Sequence, residues 1–310
     1  MSAPRLSIVT PCLNRAATIG AAIESVLAQG HGAVEHIIVD GGSTDGTAEV
    51  LARHPHLVII REKDRNLYDA INKGLGAARG EVIGLLNSDD LYAPGAFAAA
   101  EAAFADPAVE MALGAAEFFT LHDGREVVLK RLSGAANALD AANVISGITT
   151  MNAAFYRRSL LAALDVAAAG GPFDIRFPLA ADKDFWLRLA LRAPRLAVLE
   201  ATIIRYRSHE GSFTFAAGDL REKLSRHLLD LARTRLAESR AGTAEHAAYR
   251  RWHAWAAGYR AGVEAQGGAW AAALATLGAA FAADPAWPAR FLAHLPRHWA
   301  GRAARRGPAV

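Results

Sequence analysis

Four times in the first ninety residues a short apolar run ends in a polar cluster, and helix-like spacing follows. Leu6-Ser7-Ile8-Val9-Thr10 leads to Pro11, Cys12 and Asn14, then to Ile19, Ile23, Val26 and Leu27 at helical intervals. His36-Ile37-Ile38-Val39-Asp40 leads to a Gly-Gly-Ser turn, and Leu57-Val58-Ile59-Ile60 leads to Arg61, Glu62, Lys63 and Asp64. Leu67–Ala78 reads as the next helix, and the fourth run, Val82–Leu86, delivers Asn87, Ser88, Asp89 and Asp90. Strands that alternate with helices build right-handed crossovers and a buried parallel sheet. In such sheets ligands bind beyond the carboxyl ends of the strands, where all four clusters fall.

Those clusters are acidic, which narrows the chemistry. Asp89 and Asp90 are adjacent carboxylates at a strand end, and their mutual repulsion would be relieved by a cation. Hard oxygen ligands suit Mg²⁺ or Mn²⁺, with a diphosphate completing the coordination. Taken alone, the pair also reads as a solvated turn before the helix that follows Pro94. Asp40 stands before two glycines, so a ligand can approach closely and offer the carboxylate a nucleobase N–H or a ribose hydroxyl. Ser43, Thr44 or Asp45 is expected to cap the helix through Val50 and Leu51.

Residues 95–215 are less regular, with strand-like runs at Ala112–Leu121 and Glu126–Leu132, a helix ending near Arg158-Ser159, and an amphipathic helix at Asp182–Leu191. Beyond Gly218 the chain turns to Ala-rich helices, and Trp255–Pro285 loosely matches one tetratricopeptide unit, read as a helical hairpin. Ala265–Ala283 carries 19 uncharged residues, mostly Ala and Gly, and is expected to pack as an ordinary helix because few large apolar side chains favour insertion. The net charge is +3, yet Arg290, Arg297, Arg302, Arg305 and Arg306 follow Asp284 with no acid among them, leaving a mildly acidic body. Aromatic and basic residues of the 287–306 tail suit either an anionic membrane surface or a solvated basic helix. The single cysteine, Cys12, excludes an intrachain disulfide and a thiolate metal site, and with no secretory signal the expected location is the cytoplasm, peripheral at the inner face of the membrane if the tail binds it.

Taken in order, Ser7–Pro11, Ile38–Thr47 (IVDGGSTDGT), Leu67–Gly74 (LYDAINKG) and Leu86–Asp90 (LNSDD) resemble the inverting nucleotide-sugar glycosyltransferases of family 2. The resemblance covers about residues 5–215 and implies the GT-A fold, a Rossmann-like, mostly parallel sheet flanked by helices. That gives a domain at 1–215 and an Ala-rich helical region at 216–310. It implies that Thr10, Pro11, Asp40 and Asp64 line the nucleoside pocket of the donor, most commonly a UDP-sugar. By the same resemblance Asp89 meets the ribose, and Asp90 holds Mn²⁺ or Mg²⁺ on the diphosphate. Asn87 stands where some members carry Asp. Gly171–Asp174 and Ala181–Leu189 resemble the segment that bears the family's catalytic carboxylate, which makes Asp182 the general base, with Ala181 where many members have Glu. Without the resemblance Asp182 reads as a helix N-cap. His209 falls where members often carry a His near the diphosphate, as a metal ligand or a phosphate donor, with Arg205 and Arg207 as other phosphate partners. Ser146–Asn152 corresponds to part of the acceptor wall, for a glycan or lipid-linked glycan acceptor.

Charge accounting gives the expected reaction. The acceptor hydroxyl loses its proton to Asp182 while a diphosphate leaves. With one base and no nucleophile beside it, a single displacement inverts the anomeric centre; the resemblance implies a place in bacterial polysaccharide or glycoconjugate synthesis. A non-enzymatic adaptor would not need the acids that stand here. A sugar nucleotidyltransferase needs a Gly-rich basic loop after the first strand, and an NAD enzyme needs G-x-G-x-x-G there; neither is present. An acidic body also argues against nucleic acid as a partner.

Overall fold

The structure is a computed structural model that describes residues 5–135, 139, 144–145, 150–166, 169–208 and 219–292. The chain forms two compact units, Met1–Ala138 with Thr149–Phe215, and Leu139–Ile148 with Ala216–Val310.

In the first unit the expected strands are β1 (Leu6–Cys12), β2 (Val34–Asp40), β3 (Val58–Arg61) and β4 (Val82–Leu85). They pair in the order β3-β2-β1-β4, all parallel, with Cys12 opposite Asp40 and Asp40 opposite Arg61. In β1, β2 and β4 the apolar runs are continuous because both faces are covered, and Ile8, Val9, Ile37, Ile38 and Val39 have no exposed surface; β3 is the edge strand, with Val58 and Ile59 exposed. The intervening helices are α1 (Ile19–Leu27), α2 (Thr47–Leu51) and α3 (Leu67–Ala77). Helix α3 lies tightly on the sheet: a Cβ at Gly74 would come 2.4 Å from Val9.

Beyond β4 come β5 (Leu91–Tyr92), α4 (Ala96–Phe104), β6 (Met111–His122) and β7 (Arg125–Leu132), then β8 (Ala154–Arg157), α5 (Arg158–Ala162), α6 (Ala181–Arg192) and β9 (Leu196–Arg207). They extend the sheet as β8-β6-β9-β5, with β7 paired to the outer part of β6. The pairing β6–β9 is parallel, and β4–β8, β6–β8, β5–β9 and β6–β7 are antiparallel. Here the sequence reading needs two corrections. The segment before Arg158-Ser159 is not the end of a helix: Ala154–Arg157 is a strand wedged between β4 and β6, and the helix starts at Arg158. Its Ala-Phe-Tyr run carries no alternation because both faces are buried. The twelve-residue β9 was likewise not expected from the irregular middle third.

The second unit holds α7 (Asp219–Glu238), α8 (Ala244–Gln266), α9 (Trp270–Ala283) and α10 (Trp287–Leu292). The Thr243 hydroxyl caps α8 by accepting from His246 N, at 3.1 Å. Tyr249, Trp252, Ala256 and Ala257 on α8 are buried. Helices α8 and α9 form the expected hairpin, but Ala265–Ala283 is not packed all round. Within α9 only Ala273 and Ala280 are buried.

Candidate active site at the carboxyl edge of the sheet

The loops after β1 and β2 are stitched together by the polar residues of the Asp40–Thr47 segment. Asp40 Oδ1 accepts from Ser43 N at 2.9 Å and from Ser43 Oγ at 2.6 Å, and Ser43 Oγ accepts from Asn14 N at 2.8 Å. Asn14 Oδ1 accepts from Thr44 N, Thr47 Oγ1 from Arg15 N, and Asp45 Oδ2 from Ala16 N. The helix itself begins after Gly46, and of the expected caps Asp45 reaches it, its Oδ1 accepting from Thr47 N at 3.1 Å, while Ser43 and Thr44 serve this loop-to-loop network instead. One oxygen is left over. Asp40 is 1% exposed, and among the described residues its Oδ2 accepts no hydrogen bond; the nearest cation is Arg61 Nε at 3.3 Å. The Arg61 charge offsets part of the cost of burying this oxygen, and a ligand N–H or O–H would supply the hydrogen bond that it lacks.

Asp64 lies against the same turn. A Cβ at Gly41 would stand 2.8 Å from Asp64 Oδ2, so only glycine admits the carboxylate there. Lys73 on α3 donates to Asp64 Oδ1 at 2.8 Å and to Lys63 O at 2.9 Å, fixing the loop that carries the acid. Burial raises the Asp64 carboxyl, and Lys73 opposes that rise. Thr10 is fully buried, and its hydroxyl is bonded to His36 Nε2 at 2.9 Å, while Pro11 sits beside it on β1. Cys12, next along β1, senses both acidic clusters. Burial first, then the nearby Asp40, Asp45 and Asp89, push its thiol up to about 12, with Arg15 opposing, so it is inert as a nucleophile.

At the end of β4 the two adjacent acids differ. Asp89 is partly exposed, whereas Asp90 is buried. Asp90 Oδ1 accepts from Arg207 N and Oδ2 from Asn87 Nδ2, each at 2.9 Å. Burial and then Asp89 push its acid up to about 8 despite those two donors. Asn87, where some relatives carry Asp, thus has a task an ionised Asp could not perform: it donates. Arg207 also donates from Nε to Asp89 O, so the end of β9 is bonded to both acids. Arg205 is engaged elsewhere, by Glu117 at 3.0 Å and Glu126 at 2.6 Å. His209 lies outside the described residues, as do 146–149 of the expected acceptor wall. Of that wall, Thr150 and Asn152 are buried, and among the described residues Thr150 Oγ1 and Asn152 Oδ1 have no hydrogen-bond partner.

Asp182 is the second residue of α6; the N-cap position is Ala180, so the capping role falls away. Its place in the first turn puts it at the positive end of the helix dipole. Two asparagines bind α3 to the segment leading to α6. Asn66 caps α3 through Tyr68 N and Asp69 N and donates to Ile175 O, and Asn72 donates to Ala169 O and Phe173 O. Tyr68, stacked on Phe173 with centroids 5.5 Å apart, donates its hydroxyl to the Asp182 carboxylate. Burial raises the Asp182 carboxyl, against Lys183 and Tyr68, and burial brings Lys183 down to about 8. The next acid, Asp184, is fully buried and bonded to Arg188 Nε at 2.8 Å, so it serves the fold. Tyr68 and Lys73 are the residues that sequence reasoning missed; both lie within the quoted LYDAINKG motif, and only tertiary contacts reveal their partners, whereas Asn87 was named without its role as a donor to Asp90.

Comparison with known proteins completes the picture. The profile of glycosyl transferase family 2 matches residues 7–164, just over half of the chain. A PGL/p-HBAD biosynthesis glycosyltransferase of Mycobacterium bovis is 34% identical over 196 residues, covering 61% of this chain and 70% of that protein. Among solved structures, Staphylococcus aureus TarS 1–349 in complex with UDP-GlcNAc superposes with a TM-score of 0.58 at 20% identity, covering 82% of this chain and 72% of that one. The mannosyltransferase PcManGT from Pyrobaculum calidifontis, in complex with GDP-Man and Mn²⁺, gives 0.58 at 22% identity over 94% and 84%. The two structures share the GT-A-like architecture, and the profile and the mycobacterial relative fix the kinship: the chain belongs to glycosyl transferase family 2.

Proposed function

We propose that this glycosyltransferase moves a sugar from a nucleoside-diphosphate donor to a hydroxyl of a glycan or lipid-linked glycan, inverting the anomeric centre with Asp182 as general base. The observation that carries the reading is Asp40 Oδ2, a buried acceptor that among the described residues takes no hydrogen bond and has Arg61 Nε 3.3 Å away, at the strand end where nucleotides bind in this architecture. Thr10, Pro11, Asp40 and Asp64 line the nucleoside side and Asp89 meets the ribose. Folds of this kind hold UDP-GlcNAc in TarS and GDP-Man in PcManGT, and a UDP-sugar is the donor we favour here.

Asp90, beside Asp89, is the residue that would hold Mn²⁺ or Mg²⁺, with His209 a second candidate. The fit is chemical: a buried carboxyl pushed up to about 8 beside a second acid is relieved by a cation. Among the described residues no group of three or more His, Cys, Asp and Glu is gathered for a metal, so most of the coordination falls to the diphosphate. When bound, the cation neutralises charge on the diphosphate.

The chain's own residues handle the proton. As the acceptor oxygen bonds to the anomeric carbon, the bond to the diphosphate oxygen breaks, its electron pair leaves with the nucleoside diphosphate, and the hydroxyl proton passes to Asp182. A raised carboxyl is suited to that task, because a base works best when its pKa approaches the working pH. The Tyr68 hydroxyl fixes which way the carboxylate faces. A lipid-linked acceptor would place the reaction at the cytoplasmic leaflet, with the basic 287–306 tail drawn to anionic lipid.

A donor screen with Mn²⁺ or Mg²⁺, read as nucleoside diphosphate release, tests the reading. Asp182→Asn should keep donor binding and abolish transfer. Failure of every donor with intact protein and a competent acceptor would leave the adaptor reading in its place.

A further inference from the structure

We propose that the outward face of α9 (Trp270–Ala283) is a docking surface for an anionic lipid bilayer. Trp270 is 66% exposed, Leu274 69% and Phe281 53%, and their spacing of four and seven places them along one stripe of the helix. The other exposed residues of the helix are all Ala or Gly. No charged residue occurs from Ala265 to Ala283. The acids at either end are withdrawn: Glu264 is buried and bonded to Arg260, and Asp284 is buried between Arg250 and Arg290, each at 2.7 Å. The helix therefore offers apolar surface without negative charge, and the chain beyond Asp284 adds arginines only. Charge complementarity of this kind belongs to a surface rich in anionic headgroups.

The geometry argues for lying on a membrane rather than crossing it. At 1.5 Å per residue the helix is about 21 Å long, short of the roughly 30 Å hydrocarbon core, and among the described residues no helix is long and apolar enough to cross. A second copy seated on the same stripe is the competing occupant, and it would reveal itself as a dimer that depends on the same three side chains. The aromatic residues that the sequence nominated for lipid contact are partly spent elsewhere. Trp287 donates Nε1–H to Ala254 O, and Phe291, stacked on Trp287, packs against Gly258. The lipid-facing anchor is thus shifted from the tail to α9, and this proposal does not depend on the transferase reading.

The test is co-sedimentation of the full chain with phosphatidylcholine vesicles and with mixed phosphatidylcholine–phosphatidylglycerol vesicles. The intact protein should bind the mixed vesicles, and the Trp270→Ser/Leu274→Ser/Phe281→Ser variant should bind them at least about tenfold more weakly. All three side chains are more than half exposed, so the melting temperature should be unchanged. Brominated lipid should quench tryptophan emission of the intact protein and lose most of that effect in Trp270→Phe. Equal sedimentation of the triple variant would overturn the proposal, as would a dimer in light scattering that the triple variant splits.

Discussion

Replacing Asp40 by Asn separates a ligand-binding carboxylate from a turn-forming one. The amide oxygen can take the place of Oδ1 and keep both Ser43 bonds, at 2.9 and 2.6 Å. The amide NH₂ then stands where Oδ2 was, facing Arg61 Nε across 3.3 Å, and Arg61, whose side chain is 55% exposed, can swing into solvent. Stability should therefore change by no more than about 1 kcal/mol. For the ligand the substitution is severe, since a donor meets a donor. A hydrogen bond to a charged group contributes about 1.5–3 kcal/mol, so nucleoside diphosphate affinity should fall about 10- to 150-fold. Calorimetric titration with UDP, paired with a urea unfolding curve, reads both quantities on one preparation. A variant that loses several kcal/mol of stability while its folded fraction binds as before would show that the carboxylate serves the turn alone.

The remaining predictions concern the fold around the site. His36 is neutral and buried, brought down to about 3 by burial first and by His56 and His54 next. Because this lies below its ordinary 6.5, the unfolded chain takes up the proton more readily, and stability should fall by about 1.4 kcal/mol per pH unit below roughly 6.5. Thermal melts of His36→Gln should lose that part of the acid sensitivity; an unchanged acid limb would refute it. Arg188→Ala removes the arginine from fully buried Asp184 and two donors from the carbonyls of Leu164 and Pro172, and should cost about 3–5 kcal/mol in urea unfolding. A loss below about 1 kcal/mol would mean the pair is not what holds α6 in place.

Much of the first unit was legible because parallel strands write themselves as continuous apolar runs. Leu6–Thr10, His36–Asp40, Leu57–Ile60 and Val82–Leu86 each became a strand, and the acids that follow them share one sheet edge for no reason but chain direction. The strand Ala154–Arg157 was illegible for the complementary reason. Four residues, the first three buried whichever way they face, carry neither a period nor a length that tells strand from helix.

What the sequence determined by itself is the set of chemical groups and the order in which strands present them, since both follow from local pattern and from the handedness of the chain. Only the tertiary structure decided what each group does. It spent one oxygen of Asp40 on Ser43 and left the other without a hydrogen bond among the described residues, gave Asn87 a carboxylate to hold, turned Tyr68 toward Asp182, and exposed Trp270 while tucking Trp287 inward. Asp40 and Asn87 find partners three residues on within a turn, but Trp287 finds Ala254 33 residues back and Tyr68 finds Asp182 in another element, and side-chain partners at that range are set by packing, which no local pattern encodes.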